Sequence, residues 1–335
     1  MQACNILNSL EKKLVHFCIS VSSMQTKTKA WLALIFICIA WGTTYAAIKI
    51  CVLAYPAFLL AGTRQLTAGI IILAIAVALK GKGDLSFRNI RHQMLVGFLM
   101  ITIGNGLVSW GEKYIPSGVA ALICAMMPVF AVMINLGLNK KEKLNWLIGI
   151  GMTLGFLGVA LNFRDSLSDL ANTKYLGGIF ATLVATLSWA LGSILGKKSQ
   201  SQQNPVFNSG LQVVFGGLFL LVISLFTEDH SQADYANMQA FWSLLYLVTV
   251  GSVAAYTAYM FALKELPVGI VMTYAYVNPL VAVLLGWWWL NEPLTWVTGA
   301  SFIGIVLGVY LVNLGYKREK EKAAAISTTE KQAVL

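Results

Sequence analysis

Three kinds of residue in this chain of 335 could do chemistry within an apolar interior: an arginine, a pair of prolines, and a set of aromatic and amide side chains. Arg64 lies about eight residues into an apolar stretch, and an arginine at the centre of a membrane costs at least ~2.5 kcal/mol on insertion scales. Something must offset that cost. Its planar fork of donors suits a carboxylate on a ligand, and the structural alternative is a bond to helix-end carbonyls or a lipid phosphate. Pro128 and Pro279 each fall about eleven residues into an apolar stretch, roughly 16 Å along a helix. A proline there removes a backbone donor and crowds the carbonyl four residues earlier, which makes both candidate hinges. Trp41, Thr44, Asn105, Trp110, Trp189, Tyr256, Tyr259, Tyr274 and Asn278 are polar-edged residues in apolar stretches. Facing lipid they would leave polar groups unpaired. With Arg64 they form the expected lining of a cavity, aromatic area supplying contact and a few polar groups setting orientation.

Other chemistry is poorly provided for. None of the 14 acids lies mid-stretch, and His16, His92 and His230 fall in loops or at stretch ends, so no nucleophile and base, and no catalytic dyad, is embedded. Glu112, at the end of a stretch, is the nearest candidate for proton coupling, and a solvated loop acid beside Lys113 is the favoured reading of it. The five cysteines show no metal-ligand spacing, and no phosphate-cradling Gly-x-x-x-x-Gly-Lys loop occurs. An enzyme is not expected, nor a metal, nor a cofactor.

Composition decides which elements must hold these side chains. The chain is 58% hydrophobic and 11% charged, against about 25% charged in an ordinary soluble domain, and its mean hydropathy is +0.72. That excludes a soluble globule. Crossing a bilayer core takes roughly 20 apolar residues of helix, and ten windows qualify: 31–53, 57–79, 93–111, 117–138, 144–162, 175–196, 206–226, 240–263, 267–290 and 294–315. Their apolar character is continuous rather than alternating, which argues helices and not a barrel. The expected fold is an all-α polytopic membrane protein. A net charge of +10 would suggest nucleic acid for a soluble protein, but here the distribution accounts for it and no nucleic-acid partner is implied.

With both termini in the cytoplasm, nineteen Lys and Arg fall on the inside and three, Lys113, Arg164 and Lys174, on the outside. The positive-inside bias therefore selects this orientation. An impermeant thiol reagent is expected to label a cysteine placed at Asp234 from outside and one at Lys140 from inside, and labelling from one side only would refute the topology. The chain divides into a cytoplasmic segment 1–30, five-helix units 31–162 and 175–315, and a cytoplasmic tail 316–335. Residues 1–30 carry no convincing cleaved signal. Met24 with the following Gln-Thr-Lys-Thr-Lys-Ala-Trp reads as a natural start, which would make the first 23 residues an extension.

The two units repeat one another. Trp41 precedes Lys49 by eight residues and Trp189 precedes Lys197 by eight; Pro116-Ser-Gly-Val with Pro128 parallels Pro267-Val-Gly-Ile with Pro279. Glu142-Lys-Leu-Asn-Trp146 parallels Glu292-Pro-Leu-Thr-Trp296. Five spans per copy is an odd number, so the second copy enters the membrane from the opposite side, giving ten transmembrane helices as two inverted five-helix repeats. Inverted repeats suit alternating access, in which one half rocks against the other. Gly151-x-x-x-Gly155, Gly192-x-x-x-Gly196 and Gly304-x-x-x-Gly308 permit close helix approach, between the repeats or, alternatively, at a homodimer seam. Trp287, Trp288, Trp289 and Trp296 read as an interfacial belt.

The run Trp41-Gly-Thr-Thr-Tyr with Lys49, Arg64, Asn105-Gly106 with Trp110, the paired prolines, and the turn Asn291-Glu292-Pro293 resemble the drug/metabolite transporter superfamily, specifically its ten-helix EamA group of bacterial permeases. The resemblance covers about residues 30 to 315. It implies a secondary transporter in the bacterial cytoplasmic (inner) membrane. Members usually export amino acids, related metabolites or toxic compounds through a central cavity between the repeats. The small-molecule substrate and the lipid bilayer are then the partners. A non-coupled facilitator or a lipid-handling protein is the alternative. The second copy departs at Trp189-Ala190 and has Gln212 or Val213 where Arg64 would stand, so the halves are expected to differ in function.

Overall fold

In the computed structural model, described over residues 25–80, 83–138, 145–161, 173–200, 204–266, 268–272 and 274–333, the described residues are predominantly helical, with no strand among them. The helices are α1 (Thr26–Ala54), α2 (Ala57–Lys80), α3 (Phe87–Glu112), α4 (Ser117–Cys124), α5 (Met127–Leu138) and α6 (Trp146–Leu161). They continue as α7 (Thr173–Gln200), α8 (Pro205–Thr227), α9 (Met238–Glu265), α10 (Val268–Val271), α11 (Tyr274–Leu290) and α12 (Trp296–Ala333). Eight runs are long and apolar enough to cross a membrane among the described residues. The stretches predicted at 144–162 and 267–290 contain shorter apolar helices, Trp146–Gly155 and Val277–Leu290. For the second of these the helix breaks at Met272, after the four-residue α10. At the C-terminus α12 runs without interruption to Ala333, so the predicted tail is helical, with Lys317 and Glu321 paired one turn apart at 3.9 Å.

Apolar side chains cover the outside, including Ile35, Ile39, Leu79, Leu225 and Phe226, and all four tryptophans of the predicted belt are exposed. Gln93, Ser109, Thr182, Ser193, Ser209, Gln212, Ser252 and Ser301 are fully buried. This inversion of the soluble pattern follows from lipid being as apolar as leucine: polar groups gain by pairing between helices.

Two helix pairs, α2 with α8 and α6 with α12, pack antiparallel. Along α2 and α8, Gly62 meets Leu221, Leu66 meets Gly217, Gly69 meets Val214 and Leu73 meets Gly210. Along α6 and α12 a Cβ on Gly151 would stand 2.5 Å from the Gly308 carbonyl oxygen, and one on Gly308 would stand 2.5 Å from that of Gly151. Both glycine-spaced faces are thus used within the chain. α1 packs against α9 and α11, and α7 against α3 and α5.

Helix ends are sealed by side chains, and the carboxylates among them reach from the second unit to the first. The Glu228 carboxylate accepts from the N–H groups of Phe58 and Leu59, both at 2.9 Å, at the start of α2. Glu292 accepts from Ser117 N at 2.9 Å and Ser117 Oγ at 2.8 Å at the start of α4. The Asn291-Glu292-Pro293 turn reaches that place because Asn291 adopts φ 54°, a left-handed conformation asparagine tolerates. At the other polarity, Lys49 Nζ donates to the carbonyls of Glu112 (2.6 Å) and Ile115 (3.0 Å), and Lys197 Nζ to those of Leu263 (2.6 Å) and Leu266 (2.7 Å). Since α2 and α8 run antiparallel, the ends of α1 and α7 that carry these lysines lie at opposite ends of the bundle. Each lysine satisfies carbonyls that a helix terminus leaves without donors.

The two prolines differ. Pro128 is the second residue of α5, just after a break at Ala125–Met126. In a first turn a missing N–H removes no helical bond, so the expected crowding of an upstream helical carbonyl does not arise there. Pro279 is the sixth residue of α11 and does lie within a helix.

Candidate functional site

Two eight-residue π-helical segments interrupt the third helix of each unit, Phe98–Asn105 in α3 and Leu247–Ala254 in α9. Such segments collect at functional sites because they aim side chains and carbonyls differently from an α turn. Each offers a carbonyl to the other unit: Trp41 Nε1 donates to Gly251 O at 2.9 Å and Ser188 Oγ to Leu99 O at 2.8 Å. Neither π segment was foreseen, and Phe-Leu-Met-Ile-Thr-Ile-Gly-Asn carries no marker for one.

Between these segments lies a cavity with about 70 Å³ open to the centres of water-sized molecules, space for several waters at roughly 10–15 Å³ each. Eight of the expected lining residues border it: Trp41, Thr44, Arg64, Asn105, Trp189, Tyr256, Tyr274 and Asn278. Trp41 is the hub of the aromatic wall, with ring centroids 5.5 Å from Trp189, 4.9 Å from Tyr274 and 5.0 Å from Tyr259. Thr44 Oγ1 bonds back to Trp41 O at 2.7 Å. In the orientation that satisfies its amide, Asn278 donates to the carbonyls of Cys38 (2.9 Å) and Tyr274 (3.1 Å), tying α11 to α1.

Trp110 and Tyr259 are not in the lining. Trp110 packs edge-on against Tyr114 at 4.9 Å; two residues beyond the lining residue Val108, it points some 200° round the helix. Tyr259 is fully buried behind the wall and donates to Ser193 Oγ at 2.7 Å. Conversely Gln65, Gly104, Cys124, Met127, Thr186, Gly251 and Ser252 line the cavity and were not expected there. For Gln65 a signal existed: it adjoins Arg64 in the same apolar stretch.

Arg64 is 4% exposed, and among the described residues its guanidinium makes one hydrogen bond, from Nε to Ser252 Oγ at 2.9 Å. Its Nη2 lies 3.1 Å from where a Cβ on residue 251 would sit, so Gly251 makes room for it. No acid pairs with it among the described residues. A guanidinium at a cavity wall with donors in hand can take a carboxylate by a two-pronged bond. Gln212, one of the two residues that stand in the corresponding place of the second unit, does something else. It accepts from Tyr256 OH at 2.6 Å and donates to Gln93 Oε1 at 2.6 Å, and Gln93 donates to Asn89 Oδ1 at 2.8 Å. This chain of neutral groups leads away from the cavity wall toward the start of α3.

Glu112 contradicts its expected solvated position. It is fully buried, covered at the end of α3 by the Lys49 cap rather than open to water, and neither carboxylate oxygen has a hydrogen-bond partner among the described residues.

The EamA-like transporter family matches residues 28–164 and again residues 176–314. The chain belongs to the EamA-like transporter family. This EamA-like chain is 32% identical over 286 residues to the uncharacterized inner membrane transporter YedA of Escherichia coli strain K12, covering 84% of this chain and 90% of YedA. It is 30% identical over 308 residues to the uncharacterized transporter YvbV of Bacillus subtilis strain 168, covering 92% and 98%. A solved crystal structure aligns with a TM-score of 0.62 at 16% identity, covering 87% of this chain and 98% of that one, a likeness of fold alone. The EamA-like chain is therefore a multi-pass membrane transporter, and family and relatives point away from an enzyme.

Proposed function

We propose that this transporter exports a small zwitterionic or neutral metabolite, such as an amino acid, by alternating access across the bacterial cytoplasmic membrane, with both termini inside. Its helices form two inverted five-helix repeats. The single observation that carries the substrate class is Arg64: a buried guanidinium on the cavity wall with one hydrogen bond among the described residues. The aromatic wall of Trp41, Trp189, Tyr256 and Tyr274 supplies apolar area, whereas a cationic drug would be drawn to those ring faces and repelled by Arg64. Support for the inverted arrangement comes from the matched lysine caps, the π segments in corresponding helices and the antiparallel pairing of α2 with α8 and α6 with α12. The test is purified full-length protein in liposomes, offered labelled amino acids and labelled cationic drugs. Saturable movement of an amino acid and none of the drugs is expected; the reverse would overturn the assignment.

Rocking needs places that bend, and the broken helices α4–α5 and α10–α11 supply them. Pro279 lies inside a helix, where residue 275 cannot receive its usual bond, so Pro279→Ala is expected to slow exchange between the two access states. The size is about fivefold, one recovered hydrogen bond of about 1 kcal/mol. Pro128→Ala is expected to change little, because Pro128 occupies a first turn. The rate at which a cysteine at Val108 becomes accessible from each side measures both, and equal slowing by the two variants would defeat the distinction.

A further inference from the structure

The polar group that the cavity does not account for is Glu112. It closes α3, is fully buried, and its two carboxylate oxygens have no hydrogen-bond partner among the described residues. Lys49, the nearest counter-ion by placement, gives its bonds to the main-chain carbonyls of Glu112 and Ile115 instead. The second unit shows that the cap does not need an acid: Lys197 makes the same pair of bonds at Leu263 and Leu266, with a leucine in the position of Glu112. The carboxylate is thus an addition to one unit only. Glu112 also sits one helical turn beyond Val108, and Lys49 one turn beyond Tyr45, and both Val108 and Tyr45 line the cavity. The charged and titratable groups that act on it are Tyr45, Lys49 and Cys51 of α1, Arg64 of α2, Cys124 of α4, and Glu292 of the turn before α12.

We propose that Glu112 is a proton-binding site whose loading and release are linked to the exchange of the cavity between the two sides of the membrane. The inference rests on the transporter reading above and deepens it: solute movement would be proton-coupled. An ionised carboxylate without a donor is disfavoured in a dry interior, so the conformation described holds Glu112 as the acid. A conformation that wets the end of α3, or turns Lys49 or Arg64 onto the carboxylate, releases the proton. The step makes and breaks only an O–H bond at a Glu112 oxygen, the proton coming from water on one side and leaving to water on the other. Because the two conformations bind the proton unequally, acid must favour the one described here.

The test uses full-length protein and two readouts that need no solute. In lipid nanodiscs at neutral pH, infrared spectra should show the carbonyl stretch of a protonated carboxylic acid, lost in Glu112→Gln and kept in the surface control Glu321→Gln. In liposomes, a cysteine at Val108 should change its labelling rate by an impermeant reagent about tenfold between acidic and alkaline buffer, the response to a one-unit difference in proton affinity. The rate is normalised to a reference cysteine at Asp234, and in Glu112→Gln the normalised rate should be flat. Should Glu112→Gln fail to fold, Glu112→Asp replaces it, and the acid band should then move in frequency. If the band and the pH response are found but no labelled amino acid crosses, the substrate reading fails and the proton site stands. If an amino acid is transported while accessibility ignores pH and no acid band depends on residue 112, the proton site is overturned and the transporter reading stands.

Discussion

Arg64→Gln is expected to lower transport of a carboxylate-bearing solute by about 30-fold or more, with the protein still present in the membrane. Removing one member of a desolvated, hydrogen-bonded charge pair costs about 2–5 kcal/mol, and each 1.4 kcal/mol is tenfold. Arg64→Lys should retain part of the activity, since lysine keeps the charge and loses the fork. The loss should fall on carboxylates most heavily: the amide or ester of the same solute, unable to form the charge-assisted two-pronged bond, should be less affected by either variant. Initial rates in liposomes, scaled to reconstituted protein, decide the matter. Unchanged affinity in both variants would remove Arg64 from recognition and leave the aromatic wall as the binding surface.

The second large effect concerns stability. A Cβ on Gly308 would lie 2.5 Å from the Gly151 carbonyl oxygen and 2.6 Å from Gly155 N, and both obstacles are backbone. Gly308→Leu should therefore force α12 away from α6, at or above the upper end of the about 1–3 kcal/mol that overpacking costs. Gly299, on the same helix, has nothing within 4 Å of its Cβ position. Gly299→Leu should match the wild-type protein or exceed it, since leucine favours helix over glycine by roughly 0.8 kcal/mol. Thermal unfolding in detergent, followed by the loss of the monodisperse species, compares them directly. Equal melting of the two variants would falsify the close approach of α6 and α12.

What the sequence made legible was depth rather than direction. Trp41, Arg64, Trp189 and Asn278 could be assigned to the interior because each carries a polar group through an apolar run, and the structure brings them to one cavity. Trp110 and Tyr259 met the same criterion and lie outside it, because an all-apolar helix has no polar face from which to read its rotation. Gln65 escaped notice beside a charged neighbour. Glu112 was misjudged for a different reason: position at a helix end says nothing about what packs over that end, and here α1 brings Lys49 across it. The ninth span was visible as an apolar run, but its break at Met272 precedes Pro279 by several residues and had no residue to announce it.

The caps supplied by Glu228 and Glu292 bear on the order in which the molecule is made. Phe58 receives its capping carboxylate from a residue 170 positions later and Ser117 from one 175 positions later, while Trp41 waits for a carbonyl 210 positions away. At a synthesis rate of about 5–20 residues per second, α2 exists for on the order of ten seconds or more before its seal emerges from the ribosome. During that interval water must serve the exposed N–H groups at its end, which holds the end of α2 at the membrane surface until α8 arrives. A nascent chain stopped short of residue 228 therefore carries a complete copy of the family's repeat and still lacks the groups that finish it. The stretch 28–164 that matches the family once thus takes two of its helix-end seals from residues of the stretch 176–314 that matches it again.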